Sequence, residues 1–472
     1  MLALILPPLL PGLSAADFRA GAARVEITPT QLPIRTAGNL TLTLVSNIHD
    51  RLHARALALH DGTTTLVLAV VDSCMIAREE LDRAKADASR MTGIPVQHML
   101  VSSTHTHTAP AVYGCHGNDA QAEYREWLVP RITQCLTQAW MNLQPARVGW
   151  GKSDLPTFVH CRRWLMAPGT ALQPNPAFTG CVTNLAMMNP GYSNTNKLQP
   201  TGPVDPAVTV LSLQTRDGRP LAVLANYSTH YASAPSDQIS SDYFGEFCER
   251  IAQAVDAPTR NPSFIALISN GTSGDANCVD PTQRDWVVTP ARVAQAVVES
   301  VRQTLTTVAY RDWVRLAAAE TQLQLGVRLP TPAQVKEAQD FLAIQVGPRP
   351  TRNWEENYAR ETVLLANWPA TQRLLLQAIR VGDFGIGAIP CETYGATGLA
   401  LKRASPFELT MIVGLANGYN GYLPPPDQFP VGEYTTWRAR TSYLETNAEP
   451  QIRQSLLRLL RETHGRPALS SP

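Results

Sequence analysis

Residues 98–103 (HMLVSS) form a short apolar run that leads directly into 104–108 (THTHT). Such a run is typical of a buried β-strand. His105 and His107 follow at the point where this strand would end. In open α/β sheets, ligand sites form beyond the carboxyl ends of the strands, because the loops there project side chains into one crevice. The stretch therefore predicts a buried strand with a polar site at its end.

Four further apolar runs lead into polar residues in the same way. They are 221–229 with His230, 263–269 with 270–275, 384–390 with Glu392, and 410–417 with Tyr419 and Tyr422. Strand ends on one side of a sheet lie close together. We therefore expect histidine, carboxylate and tyrosine side chains to converge at one site.

Helical patterns alternate with these runs. Apolar spacing near 3.6 residues predicts helices at 77–91, 120–143, 243–255, 290–308, 332–342, 354–368 and 451–462. Further strands are predicted at 208–214, 313–325 and, as a pair with a turn, within 373–390. Asp61 and Gly62 lie between two apolar runs and predict a hairpin turn. The alternation predicts one α/β domain over 17–472, with a mixed sheet and surrounding helices.

Residues 152–206 are rich in Pro, Asn, Gly and Thr and show little periodicity. A segment of this length is too long for a plain connector, so we expect a functional loop or a lid over a site. It contains Arg162 and Arg163, which could clamp a carboxylate or phosphate or could be ordinary surface charge.

The run 269–275 (SNGTSGD) contains closely spaced backbone amides and several hydroxyls. These groups could form a nest that binds an anion. The alternative is a tight turn in which Gly271 and Gly274 adopt positive φ.

The composition excludes several classes of protein. The 472 residues contain 40 basic and 39 acidic side chains, which gives no electrostatic reason to expect a nucleic acid or an anionic membrane as partner. Eight cysteines without a CxxC pair argue against a disulfide scaffold or a zinc ribbon. The chain has no 18-residue apolar run that would predict a transmembrane segment. GxSxG, Walker and GxGxxG motifs are also absent from the sequence.

The first sixteen residues carry no charged side chain and end in Ser14, Ala15 and Ala16. An apolar stretch followed by small residues is typical of the second half of a signal peptide, although the basic segment that normally precedes it is missing. We expect 1–16 to be a signal-peptide remnant and the protein to be secreted or periplasmic. An ordinary mobile N-terminus is the alternative.

Histidine and carboxylate side chains at strand ends suit zinc, which takes three or four protein ligands. His105 and His107 are two residues apart, so both could reach one metal only if the strand bends. We therefore expect one to bind the metal and the other to point elsewhere in the pocket. Each residue alone has an ordinary structural explanation, and their convergence is what favours a metal site.

Eight short motifs resemble, in the same order, the neutral and alkaline non-lysosomal ceramidases. They are 21–29 (GAARVEITP), 52–57 (LHARAL), 103–110 (STHTHTAP), 226–230, 241–247 (SDYFGEF), 274–275, 390–392 and 417–422 (NGYNGY). Members of that family are zinc amidases that cleave the N-acyl bond of ceramide. The resemblance extends from about Gly21 to Glu445 and implies the ceramidase catalytic fold and a small-molecule or lipid-like substrate.

The resemblance also implies roles for single residues. The zinc ligands would be His105, His230, Glu392 and Tyr422. The pocket would hold His107 as a further histidine, Tyr434 as a hydrogen-bond donor to the developing oxyanion, and one of the pair Arg162 and Arg163.

Two departures from the family pattern bear on the reaction. Family members carry a nucleophilic serine in a GDVSPN motif, whereas 274–278 reads GDANC, so Asn277 stands at the serine position. They also carry a C-terminal immunoglobulin-like domain, which we do not expect here. Two routes for the attack remain: Thr272 or Ser273 as nucleophile, or zinc-activated water. We favour water, with His107 as general base and Asp275 holding the loop or the water.

The leading hypothesis is a zinc-dependent hydrolase of an amide or ester bond, with a ceramide-like N-acyl linkage as one candidate. One alternative is a zinc hydrolase of another bond, such as a glycoside or a phosphoester. The other is a catalytically silent binding protein that keeps the metal pocket.

Overall fold

The structure is a computed structural model that describes residues 18–39, 42–171, 178, 184–257, 264–344 and 353–465. The predicted signal-peptide remnant, 1–16, lies outside the described residues, as do parts of the predicted loop 152–206.

Eight strands form the largest sheet among the described residues. They are β1 (Arg19–Glu26), β2 (His53–His60), β3 (Thr65–Val71), β4 (Met99–Ser103), β5 (Gln144–Asp154), β6 (Ala207–Thr215), β7 (Pro220–Tyr227) and β8 (Ile265–Asn270). Their spatial order is β8-β7-β6-β5-β1-β2-β3-β4. The edge pairs β7–β8 and β3–β4 are parallel, and the other neighbours are antiparallel. The predicted mixed sheet is confirmed.

The second sheet has four strands. They are β9 (Leu316–Gly326), β10 (Thr371–Val381), β11 (Phe384–Ala388) and β12 (Leu409–Val413), in that spatial order. Only β11 and β12 are parallel. Short strands elsewhere are Ile34–Arg35, Leu44–Val45, Asn47–Ile48, His160–Cys161, Arg163–Met166, Ala186–Met188, Lys197–Pro200, Gln238–Ile239, Ala276–Asn277, Glu392–Thr393 and Tyr422–Leu423.

The α-helices surround the sheets. They are α1 (Arg78–Thr92), α2 (Ala122–Met141), α3 (Asp242–Ala254), α4 (Pro290–Leu305), α5 (Pro332–Ala343), α6 (Trp354–Leu365), α7 (Gly395–Ala404) and α8 (Ala448–His464). The sequence pattern missed α7, because Gly395 and Gly398 weaken the helical signal. A Cβ at Gly398 would lie 2.2 Å from Thr272 Oγ1, so close packing requires the glycine there.

The core is arranged in four layers, helix–sheet–sheet–helix. Alternate residues of β2 point to opposite faces: Ala56 packs with α1 and α2, whereas Leu57 faces the second sheet. Helices α3 and α4 pack on β6, β7 and β8, on the face of the large sheet that also carries α1 and α2. Helices α7 and α8 cover the outer face of the second sheet. None of the described helices has the length and apolarity to cross a membrane.

The predicted long loop is only partly a loop. Within the described part of 152–206, Arg163–Met166 pairs with Ala186–Met188 on one side and with Lys197–Pro200 on the other. These stretches are strands, so the prediction of a loop is wrong for them. These strands are only three or four residues long, too short to stand out among the surrounding Pro, Asn and Gly.

The opposite edges of the large sheet meet at their carboxyl ends. Asn270 Nδ2, at the end of β8, donates a hydrogen bond to the carbonyl of Thr104 just after β4, at 3.2 Å. The segment after β12 lies against both ends, because the Gly414 amide donates to Asn270 and the Asn417 amide donates to Val101. This closure brings the predicted strand-end residues into one place.

Candidate metal centre and its cavity

A cavity of about 270 Å³ lies where these strand ends meet. Six of the predicted site residues line it: His105, His107, Arg162, Glu392, Tyr422 and Tyr434. His230 lies in contact with His105 and is only 1% exposed. The convergence expected from the strand ends is therefore present in the structure.

A bend in the chain brings His105 and His107 to the same point. His105 has φ 75°, a left-handed conformation that interrupts the extended chain after β4. His107 Nε2 consequently lies 3.2 Å from His105 Nε2. The Nε2 atom of His230 lies 3.1 Å from the same His105 atom. The sequence predicts that one of the two neighbouring histidines points elsewhere in the pocket, but in the structure the Nε2 atoms of both meet.

Backbone carbonyls determine which nitrogens carry protons. His105 Nδ1 lies 2.9 Å from the carbonyl oxygen of Cys74, and His230 Nδ1 lies 3.2 Å from that of Ser273. Because a carbonyl oxygen can only accept, both Nδ1 atoms are donors. In the neutral rings the two Nε2 lone pairs therefore face each other, and burial lowers the pKa of His230 well below its usual value.

Glu392 completes the cluster. Its Oε2 atom lies 3.2 Å from His105 Nε2 and 3.9 Å from His230 Nε2. The Tyr419 hydroxyl donates a hydrogen bond to the other carboxylate oxygen, Oε1, at 2.9 Å. Burial alone would raise the pKa of Glu392, but nearby His105 and Arg162 hold it below its usual value, so the side chain is a carboxylate.

These groups fit a zinc ion. Among the described residues, Glu392 Oε2 is buried and has no hydrogen-bond partner, and the Nε2 atoms of two histidines lie beside it. When both rings are neutral, the three acceptor atoms repel one another unless a metal cation lies between them, whereas a proton on His105 would let that ring pair with Glu392. Zinc bonds of about 2.0–2.2 Å in a tetrahedral arrangement place ligand atoms roughly 3.3–3.6 Å apart, close to the separations found here. The ligand atoms of His105, His230 and Glu392 all lie within 4.8 Å of one another.

Two tyrosines and an arginine form the adjoining wall. Arg162 donates hydrogen bonds to the Tyr422 hydroxyl at 3.2 Å and to the Gly274 carbonyl at 2.8 Å. The hydroxyls of Tyr422 and Tyr434 are 3.5 Å apart. Burial raises the pKa of Tyr434 to about 12, so its hydroxyl is protonated and can donate. Glu392 and Tyr422 pair as neighbours on two short parallel strands.

Arg163 and Asp275 lie outside the cavity lining. Arg163 donates to Glu433 at 3.1 Å and to the Gly432 carbonyl at 2.7 Å, and so holds the segment that precedes Tyr434. Asp275 accepts from the Gly395 amide at 2.8 Å through Oδ1. Of the two arginines, Arg162 faces the cavity, and of the two roles considered for Asp275, the contacts match holding the loop.

The residues considered as nucleophiles, Thr272 and Ser273, are not among the described residues that line the cavity. Asn277, which the resemblance alone aligns with the family's serine, donates through Nδ2 to Asn189 Oδ1 at 2.7 Å. The Ser273 hydroxyl donates to Asn270 Oδ1 at 2.7 Å. The hydroxyl of Thr272 lies 3.5 Å from that of Ser228. These side chains hold the loop in place.

The segment 269–275 is not an anion nest. Three of its amides already have partners in the protein: Gly271 donates to the Tyr227 carbonyl, Thr272 to the Ser228 hydroxyl and Gly274 to the Thr393 carbonyl. The alternative expectation of positive φ at Gly271 and Gly274 is also wrong. Glycine is required there for space: a Cβ at Gly274 would lie 2.4 Å from the Glu392 carbonyl oxygen.

Two aromatic residues of the site were not predicted from the sequence. Tyr231 stacks on His107 with ring centroids 4.0 Å apart, and Trp354 lines the cavity. The sequence predicts Tyr419 at the same strand end as Tyr422, but no sequence pattern predicts its hydrogen bond to Glu392. The position of Tyr231 next to His230 was a usable signal, whereas the sequence around Trp354 contains none.

Comparisons with known proteins find similarity to neutral ceramidases. No family model matches the sequence. Neutral ceramidase A of Dictyostelium discoideum is 25% identical over 262 residues, 51% of this chain and 33% of that protein. Neutral ceramidase B of the same organism is 24% identical over 291 residues, 57% of this chain and 37% of that protein. The matched segments thus span little more than a third of these relatives.

Solved structures extend the similarity to nearly the whole chain. The crystal structure of neutral ceramidase from Pseudomonas aeruginosa superposes with a TM-score of 0.70 at 17% identity, over 97% of this chain and 76% of that chain. A ceramidase complexed with C2 gives a TM-score of 0.69 at 16% identity, over 97% and 77% of the two chains. The protein therefore has the mixed α/β fold of a neutral-ceramidase-like domain.

Proposed function

We propose that the protein is a zinc-dependent hydrolase that cleaves an amide bond of an N-acyl, ceramide-like substrate, with water as the nucleophile. The observation that carries the proposal is the convergence of His105 Nε2, His230 Nε2 and Glu392 Oε2 beneath a cavity. The named activity of the relatives, neutral ceramidases, supports the choice of bond.

His105, His230 and Glu392 would hold the metal, with Tyr422 as the fourth ligand. When bound there, zinc polarises a carbonyl and lowers the pKa of water, which is the chemistry that hydrolysis of an amide requires. The carbonyls of Cys74 and Ser273 support this role, because they keep the Nε2 atoms of the two histidines free to bind.

Arg162 and Tyr434 would act on the substrate carbonyl. Tyr434 remains a protonated donor at neutral pH, and Arg162 is fixed behind it by Gly274 and Tyr422. A buried, pre-oriented donor can stabilise the negative charge that develops on the carbonyl oxygen. Arg163 would position this wall from behind, through Gly432 and Glu433.

His107 would accept the proton of the attacking water. Its ring is held against Tyr231, and its Nε2 atom lies beside the metal ligands. A side-chain attack has less support. Burial raises the pKa of Cys115, which lines the cavity, to about 12, so this residue is a thiol and not a reactive thiolate. The hydroxyl of Thr441, also in the lining, hydrogen-bonds to His116 Nε2 at 3.2 Å, an arrangement that could activate it, so Thr441 is the hydroxyl that a trapping experiment has to exclude.

Trapping distinguishes the two routes of attack. A fluorophosphonate that modifies activated hydroxyls should leave the protein without a covalent adduct after mass spectrometry. An adduct on Thr441, Ser273 or Thr272 with loss of turnover would show that the water route is wrong. Hydrolysis of N-acyl amides by the zinc-loaded protein, compared with glycoside and phosphoester panels, tests the bond itself; no turnover on any panel would favour a silent binding protein.

A further inference from the structure

We infer that Trp354 forms a binding subsite for the apolar chain of the substrate's acyl group, and that this subsite sets the preferred chain length. This inference rests on the proposed function, because it takes the substrate carbonyl to lie at Arg162 and Tyr434. It concerns a residue outside the metal cluster and outside the hydrogen-bonded wall.

Trp354 is a rigid but incompletely buried aromatic residue. It is the first residue of α6, whose N-cap, Asn353, accepts a hydrogen bond from the Glu356 amide at 2.9 Å. Its ring stacks on Tyr358 and lies across Trp437, with centroid distances of 6.1 and 5.9 Å. Tyr358 and Trp437 are 0% and 1% exposed, whereas Trp354 keeps part of its surface in the cavity.

Trp354 lies beside Tyr434, the residue proposed to bind the substrate carbonyl, in the lining of the same cavity. Its ring centroid lies 5.9 Å from that of Tyr434, whose hydroxyl faces Tyr422. A chain attached to a carbonyl carbon at Tyr434 would therefore pass over the indole. Met188, buried and apolar, lines the same cavity.

The physical chemistry of this wall favours an alkyl chain. An indole held by its neighbours loses little conformational freedom when a ligand covers it. Most of the free energy gained from the apolar contact therefore contributes to binding affinity. The cavity of about 270 Å³ lies just below the range of about 300–1,000 Å³ typical of sites for drug-sized ligands. It therefore suits an acyl group of short or medium length.

The test compares N-acyl derivatives of one fluorogenic amine, with acyl groups of two, four, six and eight carbons. Full burial of one methylene is worth about fourfold in affinity, from about 0.8 kcal/mol per CH₂. For the zinc-loaded protein we expect kcat/KM to rise roughly 3- to 10-fold for each added pair of carbons, since the wall covers one side of the chain. In Trp354→Ala the rise should fall below about twofold per step, with the acetyl substrate changed least.

Trp354→Phe should restore much of the dependence on chain length, because phenylalanine retains a flat apolar face. Met188→Ala should weaken it in the same direction, which keeps the inference testable if Trp354→Ala does not fold. The matched control is Trp313→Ala, because Trp313 is 50% exposed and is not among the described residues that line the cavity. This variant should show the same dependence of kcat/KM on chain length as the original protein.

An unchanged slope in Trp354→Ala would overturn the inference and leave the proposed hydrolase intact. If the original protein hydrolyses none of the amides, the proposed function fails. Calorimetric binding of the corresponding carboxylic acids to the zinc-loaded protein then tests the subsite separately. In that measurement, affinity that rises with chain length in the original protein but not in Trp354→Ala supports the subsite, and identical profiles reject it.

Discussion

The hydroxyl of Tyr419 donates a hydrogen bond of 2.9 Å to Glu392 Oε1, the carboxylate oxygen that faces away from His105 and His230. Tyr419 belongs to the segment 417–422 after β12, and Glu392 follows β11. The bond thus joins the ends of two parallel strands of the second sheet and orients Oε2 toward the histidine nitrogens.

Loss of that bond should weaken metal binding without unfolding the protein. In Tyr419→Phe we expect the zinc affinity to fall about 10- to 100-fold, the range found when partners of metal ligands are removed. Titration against a competing chelator measures this. Tyr310→Phe, which removes a 2.7 Å bond to Ser212, is the control and should keep its zinc affinity. Equal affinities in both variants would show that Tyr419 does not orient the carboxylate.

His107→Ala should separate proton transfer from metal binding. Removal of a general base typically costs about 100- to 10,000-fold in rate, so turnover should fall by that amount. Zinc content should persist, since His105, His230 and Glu392 remain. Ser273→Ala and Thr272→Ala should retain most activity, because neither residue is among the described residues that line the cavity. Loss of zinc from His107→Ala would make His107 a ligand instead.

The ion pair behind the cavity should matter for stability. Arg163 and Glu433 are both 0% exposed and 3.1 Å apart. Arg163→Met leaves a buried carboxylate without its partner, so we expect the free energy of unfolding to fall by about 3–5 kcal/mol in urea titrations. Combining it with Glu433→Gln should recover part of this loss. Additive losses in the double variant would contradict the coupling.

Acid should destabilise the protein partly through His53. Burial and the neighbouring charge of Arg55 lower the pKa of His53 to about 3. Between pH 6.5 and about 3 the unfolded chain therefore binds a proton at this residue that the folded protein does not, and stability falls as the pH falls. His53→Gln should reduce the loss of melting temperature between pH 7 and pH 4.5 by about 2 °C or more. Parallel melting curves for the two proteins would contradict this.

Much of the site was predictable because strand ends carry local signals. The apolar run before His105 and the run before Glu392 indicate both a strand and the polar residue that follows it. The bend at His105 was not predictable, since it results from the packing of its neighbours and not from a glycine. Likewise, Trp354 reaches the cavity only through packing of α6 against Trp437. Distances of this kind are set by tertiary contacts that no local pattern encodes.

The central claim is that His105, His230 and Glu392 hold one zinc ion, and metal content tests it most directly. Elemental analysis of the purified protein after zinc loading and removal of excess metal should give one zinc per chain. Glu392→Ala should lose that zinc while its circular dichroism spectrum is unchanged. A protein that retains no zinc after loading, or a Glu392→Ala variant that keeps a full equivalent, would contradict the account.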